Sequence, residues 1–238
     1  MWNHYVDVEN EINLIVQKEF LERDFFQTLK AGQYTMKQLR HFAIQYSYYS
    51  RHFPRILGAA ISAMAPIDSW WVPLADNLWD EAGRGAVGHS HEQLYKTFLK
   101  SVDPNIQLND WGMPPEPMGN AVQTAIETFL QFFHQAMPLA AMSAVGLGSE
   151  MFAGRIMGEI ASGLSHPNYQ KKQSLELLFW HCHADEHEPR HYQLCKNVLI
   201  QYSKPEELAI QWEAGSYIAR SEATMYQSLH EEMLLLDA

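Results

Sequence analysis

Apolar residues along this chain recur at helical spacing, and strict apolar–polar alternation is almost absent. The first predicted helix runs from about Val8 to Glu22, with Ile12, Ile15, Val16 and Phe20 on one stripe. Thr35 reads as the N-cap of a helix through Arg51, with Gln38 as its capping-box partner. Pro54 is expected to start or kink the next helix, which reaches about Met64. Pro66-Ile67-Asp68 opens another, through Trp79 to Ala82. Gly83, Gly85 and Gly88 break it before a helix resumes near Ser90. Residues 104–117 hold four prolines and form the one long loop. Longer helices are predicted over roughly 118–136, 139–164, 170–201 and 205–236. The pattern is that of an all-α bundle of seven or more helices. The helices before the 104–117 loop cannot close a core alone, so residues 1–238 read as a single domain.

Composition narrows the classes. Hydrophobic residues make up 47% and charged residues 19%, enough apolar matter for a sizeable core. The net charge is −11 and no basic cluster exceeds Lys171-Lys172, which argues against a nucleic-acid partner. Cys182 and Cys195 are the only cysteines; they give no disulfide framework and fit a reducing, cytoplasmic setting. No leader is visible at the N-terminus, and no apolar run reaches eighteen residues, so no membrane partner is expected.

The chemistry concentrates in Trp180-His181-Cys182-His183-Ala184-Asp185-Glu186-His187-Glu188-Pro189-Arg190-His191. On one straight helix, at about 100° per residue, His181, Asp185 and Glu188 share a side with Leu178, Tyr192, Cys195 and Leu199. His183, His187 and His191 form a second stripe. The first face is preferred as the inward one, because it mixes ionisable with apolar groups. A metal or counter-ion would compensate a buried Asp there. The histidine stripe is the alternative, an exposed or helix-packing row.

Other helices must complete such a site. Glu150 is the only acid between Glu127 and Glu159. Gly146, Ala153 and Gly154 share its face and would leave room for a bound species; the alternative is a surface pair with Arg155. Glu81 closes one helix and His91 opens the next across a Gly-rich link. No predicted strand precedes those glycines, so they are no dinucleotide fingerprint. Carboxylates and imidazoles from several helices follow the logic of dinuclear iron or manganese sites. The Glu-x-x-His pair of ferritin-like bundles is absent.

At these residues the sequence resembles the haem-oxygenase-like superfamily, which includes TenA-, PqqC- and CADD-like proteins and the haem-oxygenase-like di-iron oxidases. Phe25-Phe26-Gln27 and Gln38-Leu39-Arg40-His41-Phe42-Ala43-Ile44-Gln45-Tyr46 look like its first helices, and Arg51-His52-Phe53-Pro54-Arg55 like a turn of its CADD-like members. The ten-residue spacing of Glu81 and His91 is that of the di-iron oxidase branch. Glu150 matches the mid-chain Glu ligand. His181 and Asp185 match the first two positions of a His-x3-Asp-x2-His motif, whose last position is Glu188 here, with His187 one residue earlier.

The resemblance implies a haem-oxygenase-like bundle and a non-haem, di-iron, O₂-activating oxidase or oxygenase acting on a small organic molecule. Its implied ligands are Glu81, His91, Glu150, His181 and Asp185, with Glu188 or a bulged His187 completing the set. The cofactors would be two Fe, or Mn and Fe, with O₂. One metal, or none, stays open, because the PqqC branch oxidises a quinone precursor without metal. A non-enzymatic, CADD-like interaction module is the third reading. Tyr46, Tyr49 and His52 are candidates for the pocket wall, and Arg51 and Arg55 for holding a substrate carboxylate. Trp70, Trp71, Trp79 and the Phe129, Phe132 and Phe133 group suggest an apolar cavity. A homodimer is implied by family analogy.

Overall fold

Helices joined by turns and one long loop, residues 103–119, make up the described residues, 2–184 and 188–236 of a computed structural model, and no strand occurs among them. In chain order the helices are α1 (Tyr5–Ile15), α2 (Asp24–Lys30), α3 (Met36–Ser62), α4 (Asp68–Glu81), α5 (His91–Val102) and α6 (Asn120–Gln135). They continue with α7 (Pro138–Val145), α8 (Met151–Leu164), α9 (Pro167–Gln170), α10 (Leu178–Cys182), α11 (Glu188–Leu199) and α12 (Pro205–Leu235). π-Helical turns are inserted at Val16–Leu21 after α1 and at Gly146–Glu150 between α7 and α8. Among the described residues no helix is long and apolar enough to cross a membrane.

Local chemistry explains most boundaries. Thr35 accepts a hydrogen bond from the Gln38 amide at 3.2 Å while Gln38 Oε1 accepts from the Thr35 amide at 2.9 Å, so α3 starts at the predicted capping box. Pro54, expected to start or kink a new helix, instead lies inside α3. A proline there forfeits one helical hydrogen bond. Burial of Ile56, Leu57 and Ala60 beyond it keeps the helix going.

The predicted helix over 170–201 is not continuous. Residues 171–177 are non-helical: the amides of Lys171, Lys172 and Gln173 bond the carbonyls of Pro167 and Tyr169, and two later amides find side-chain partners. Ser101 Oγ accepts from the Glu176 amide at 2.9 Å, and Gln170 Oε1 from the Leu175 amide at 3.3 Å. Past α10, His183 and Ala184 sit in a π-helical turn.

The longest helix, α12, packs along α1, α3, α6, α7 and the Gly146–Glu150 turn. Gly148 and Gly215 allow that approach, and Gly146 allows the approach of α11. A Cβ on Gly148 would come within 2.8 Å of Ile218, one on Gly215 within 2.8 Å of Leu147, and one on Gly146 within 2.8 Å of Cys195. The space that the sequence reading reserved beside Gly146 for a ligand is therefore filled by Cys195 and Leu199.

Candidate metal centre and its cavity

The last turn of α4 carries Asp80 and Glu81, adjacent in sequence and directed to different partners. Glu81 Oε2 lies 2.8 Å from Nδ1 of His91, the first residue of α5. The link between them turns back through Gly83, whose φ is +72° and whose Cβ would stand 2.5 Å from the His89 carbonyl carbon. That reversal brings two residues ten apart into contact.

His183 completes the group. Its Nε2 is 2.9 Å from His91 Nδ1, and its Nδ1–H donates to the Phe179 carbonyl at 2.5 Å. The carbonyl fixes the tautomer and turns the Nε2 lone pair toward His91 and Glu81. One donor atom from each of Glu81, His91 and His183 lies within 4.8 Å of the others, and all three residues are buried. A carboxylate with two imidazoles suits Fe or Mn, and two such nitrogens side by side favour a cation over bare contact. The donor set fits a metal.

A second group lies alongside. His191 is fully buried; its Nε2–H donates to Asp80 Oδ2 at 3.0 Å, which leaves Nδ1 3.5 Å from Glu150 Oε2. Asn77 Nδ2 donates to Glu150 Oε1 at 2.7 Å. Asp80 also receives Arg190 at 2.5 Å and Arg84, the one non-glycine with positive φ among the described residues. Burial works to raise the Asp80 carboxyl. Hydrogen bonds from Arg84 and His191 and the charge of Arg190 outweigh it and hold Asp80 below the ordinary carboxylate range.

The structure departs from the predicted ligand face. His181 is exposed and Leu178 is 62% exposed, whereas His183 and His191 are buried. The inward row is the histidine stripe, because the segment is broken and π-wound rather than one straight helix. Asp185 and the alternative His187 lie outside the described residues, as does the side chain of Glu188. Glu150 is not a surface residue paired with Arg155; Arg155 bonds Gln17 at 2.8 Å instead.

A small, partly open cavity of about 40 Å³ is lined in part by Glu81 and His183. Tyr46 and Tyr49 of α3 and Glu222 and Tyr226 of α12 supply its polar and aromatic wall. Burial pushes the Glu222 carboxyl up to about 8, hydrogen bonding toward Ser149 and Tyr49 opposes it, and the charge of Glu150 adds to the rise. Burial likewise raises Tyr46 and Tyr49 well above the ordinary phenol. Of the other expected wall residues, His52 turns back to the Tyr48 carbonyl at 2.7 Å, and Arg55 is exposed. Arg51 pins the 104–117 loop through the Gly112 and Trp111 carbonyls. Trp70 packs on Tyr202 and Trp71 is exposed, while Phe129 and Phe133 belong to the core. A wider, open cleft of about 820 Å³ between α6 and α12 contains none of these donors.

Glu222 went unnoticed in the sequence. Its signal was there: it sits in phase with Ile218, Tyr226 and Leu229, a lone carboxyl on the buried stripe of α12.

Comparisons with known proteins place these observations. Residues 40–219 match the model of a family described as iron-containing redox enzymes of haem-oxygenase type. A curated relative, the 4-aminobenzoate synthase of Chlamydia trachomatis, is 26% identical over 139 residues. That match covers 56% of this chain and 54% of the relative, so the chain spans about half the length of the curated protein it matches. Among solved structures, a CADD-like protein of unknown function from Nostoc punctiforme superposes with a TM-score of 0.76 at 16% identity, over 96% of this chain and 98% of that one. A haem-oxygenase-like domain of unknown function from Shewanella denitrificans gives 0.75 at 12%, over 98% and 94%. A TenA homologue from Pseudomonas syringae gives 0.69 at 12%, over 97% and 94%. These likenesses show the haem-oxygenase-like fold.

Proposed function

This chain belongs to the iron-containing redox enzyme family, and we propose that it is a non-haem iron enzyme that uses O₂ to oxidise a small organic molecule. The observation that carries this reading is the convergence of Glu81, His91 and His183 on one buried point beside a small cavity. Those three residues would hold one iron, and Glu150 with His191 would supply donors for a second. Bound there, iron would supply the electrons that O₂ chemistry requires.

The residues around the donors have separate tasks. The Phe179 carbonyl and the Asp80 carboxylate each take one ring N–H, of His183 and His191, and so aim the opposite nitrogens inward. Asn77 fixes the Glu150 carboxylate. Tyr46, Tyr49 and Tyr226 close the cavity against bulk water, and Glu222 holds a proton at its edge near neutral pH. The partial likeness to a 4-aminobenzoate synthase favours a small-molecule substrate.

The test is iron content and O₂ uptake of protein purified without a His-tag and loaded anaerobically with Fe(II). Wild type should retain iron and consume O₂ when substrate is present, and Glu81→Ala should lose the metal. Protein that binds no iron, or that turns over a quinone precursor after chelation, would overturn this reading in favour of the cofactor-independent one.

A further inference from the structure

Two spaces meet at the metal donors, and they differ greatly in size. The small cavity of about 40 Å³ reaches Glu81 and His183. A second, open cleft of about 380 Å³ reaches Glu81 and His91 from among α3, α4 and the start of α5. A water-sized group needs roughly 10–15 Å³ of such space, so the small cavity has room for O₂ or a few waters and none for a carbon ring. Clefts that hold small organic ligands measure about 300 Å³ or more, which the second space meets. The wide α6–α12 cleft is larger still but contains none of the donors. An organic molecule that is to meet the donor set therefore has its place in the α3–α4–α5 cleft.

The walls of that cleft select by shape. Pro54 of α3 and Ala75, Leu78 and Trp79 of α4 are its apolar side. Trp79 is 52% exposed, an uncommon position for the largest side chain. Its ring rests against the Gly-rich link, where a Cβ on Gly85 would stand 3.1 Å from it. At the rim Arg51 meets Glu92 at 3.2 Å and donates to the Gly112 and Trp111 carbonyls, and Glu92 meets Lys96 at 2.6 Å. These rim charges are paired with one another, so they favour neither sign of substrate. An uncovered indole in an apolar wall favours a flat ring stacked on it.

The geometry points to this cleft as the binding site of the organic substrate, with a single aromatic ring against Trp79 and the group to be oxidised toward Glu81 and His91. This assignment rests on the reading of the centre as an iron site acting on a small molecule. Trp79 is then a specificity-determining residue.

Calorimetric titration of the Fe(II)-loaded, anaerobic protein with indole, a neutral aromatic probe, tests it. Wild type should bind indole, and binding should shift the optical spectrum of the nitric oxide adduct of the iron, because the cleft shares two of the donors. Trp79→Phe should keep most of the affinity, and Trp79→Leu should weaken it about fivefold or more. Ala75→Phe fills the cleft and should abolish binding; if that variant does not fold, the Trp79 pair, at a half-exposed position, decides alone. No binding of indole, equal affinity in Trp79→Leu and wild type, or binding that leaves the nitric oxide spectrum unmoved would overturn the assignment. Iron content of the same samples separates the two readings. Iron-loaded protein whose indole affinity ignores Trp79 refutes the cleft while the iron reading stands. Trp79-dependent binding by protein that holds no iron upholds the cleft while the iron reading falls.

Discussion

Asp80 and Glu81 are neighbours on α4, both buried carboxylates, yet their surroundings balance charge in opposite ways. Asp80 meets two guanidinium groups and an imidazole, so its charge is matched by the protein itself. The partners of Glu81 among the described residues are imidazoles, from His91 and through it His183. Imidazole near neutral pH is a poor counter-charge but a good ligand. The difference separates scaffold from site. The Asp80 cluster is neutralised and orients His191, whereas the Glu81 cluster gains most from an added cation.

The largest effect that would break this contrast concerns metal occupancy. His183→Ala should remove most bound iron, and His181→Ala, at an exposed position, should leave it unchanged; elemental analysis after Fe(II) loading reads both. Equal loss in the two variants would restore the straight-helix ligand face.

Next in size is the pH dependence of metal-free protein. The Glu222 carboxyl is raised to about 8 by burial, so the folded state keeps a proton that the unfolded chain releases near pH 4.5. The Glu222 contribution to stability should be fully present below about pH 4.5 and fall by roughly 1.4 kcal/mol per pH unit as pH rises toward about 8. Glu222→Gln should flatten that slope and raise the melting temperature at pH 8. Urea unfolding across pH 4–9 gives the comparison.

Asp80 has the opposite sign. Its folded carboxyl lies below the ordinary range, so its stabilisation is complete above about pH 4 and is lost as pH falls further. Asp80→Asn should destabilise by roughly 2–3 kcal/mol at pH 7, below the full value for a buried ion pair because Arg190 is partly exposed. It should also lower occupancy of the second metal position by releasing His191. An Asp80→Asn protein as stable as wild type would mean that the arginine clamp contributes nothing. The smallest effect belongs to Arg84→Ala, whose half-exposed guanidinium is screened; a slight drop in melting temperature should vanish at high salt.

How far the site was legible follows from the kind of signal each residue leaves. Glu81 and His91 were legible because a short Gly-rich link joins them, so local chain reversal suffices to bring them together. Glu150 was legible as a lone acid in an apolar run, and its burial follows from that isolation. The inward histidines were not. A helical wheel presumes constant winding, and a broken segment with a π turn shifts every later side chain by an amount the sequence does not state. Asn77 and Asp80 were missed because an ordinary surface-like spacing became buried only when α11 packed against α4.

What the sequence determined by itself is therefore the all-α class, the capping box that starts α3, the pair Glu81–His91 and the concentration of imidazoles before α11. Each rests on periodicity or on contacts close along the chain, where the backbone's few allowed conformations leave little choice. The tertiary structure decided which histidine stripe faces inward, that two arginines neutralise Asp80, and that Glu222 meets Tyr49 from across the bundle. Apart from the local Arg84–Asp80 pair, those outcomes depend on packing between segments about ninety residues or more apart, where close-packed side chains and buried charge, not local propensity, select the arrangement.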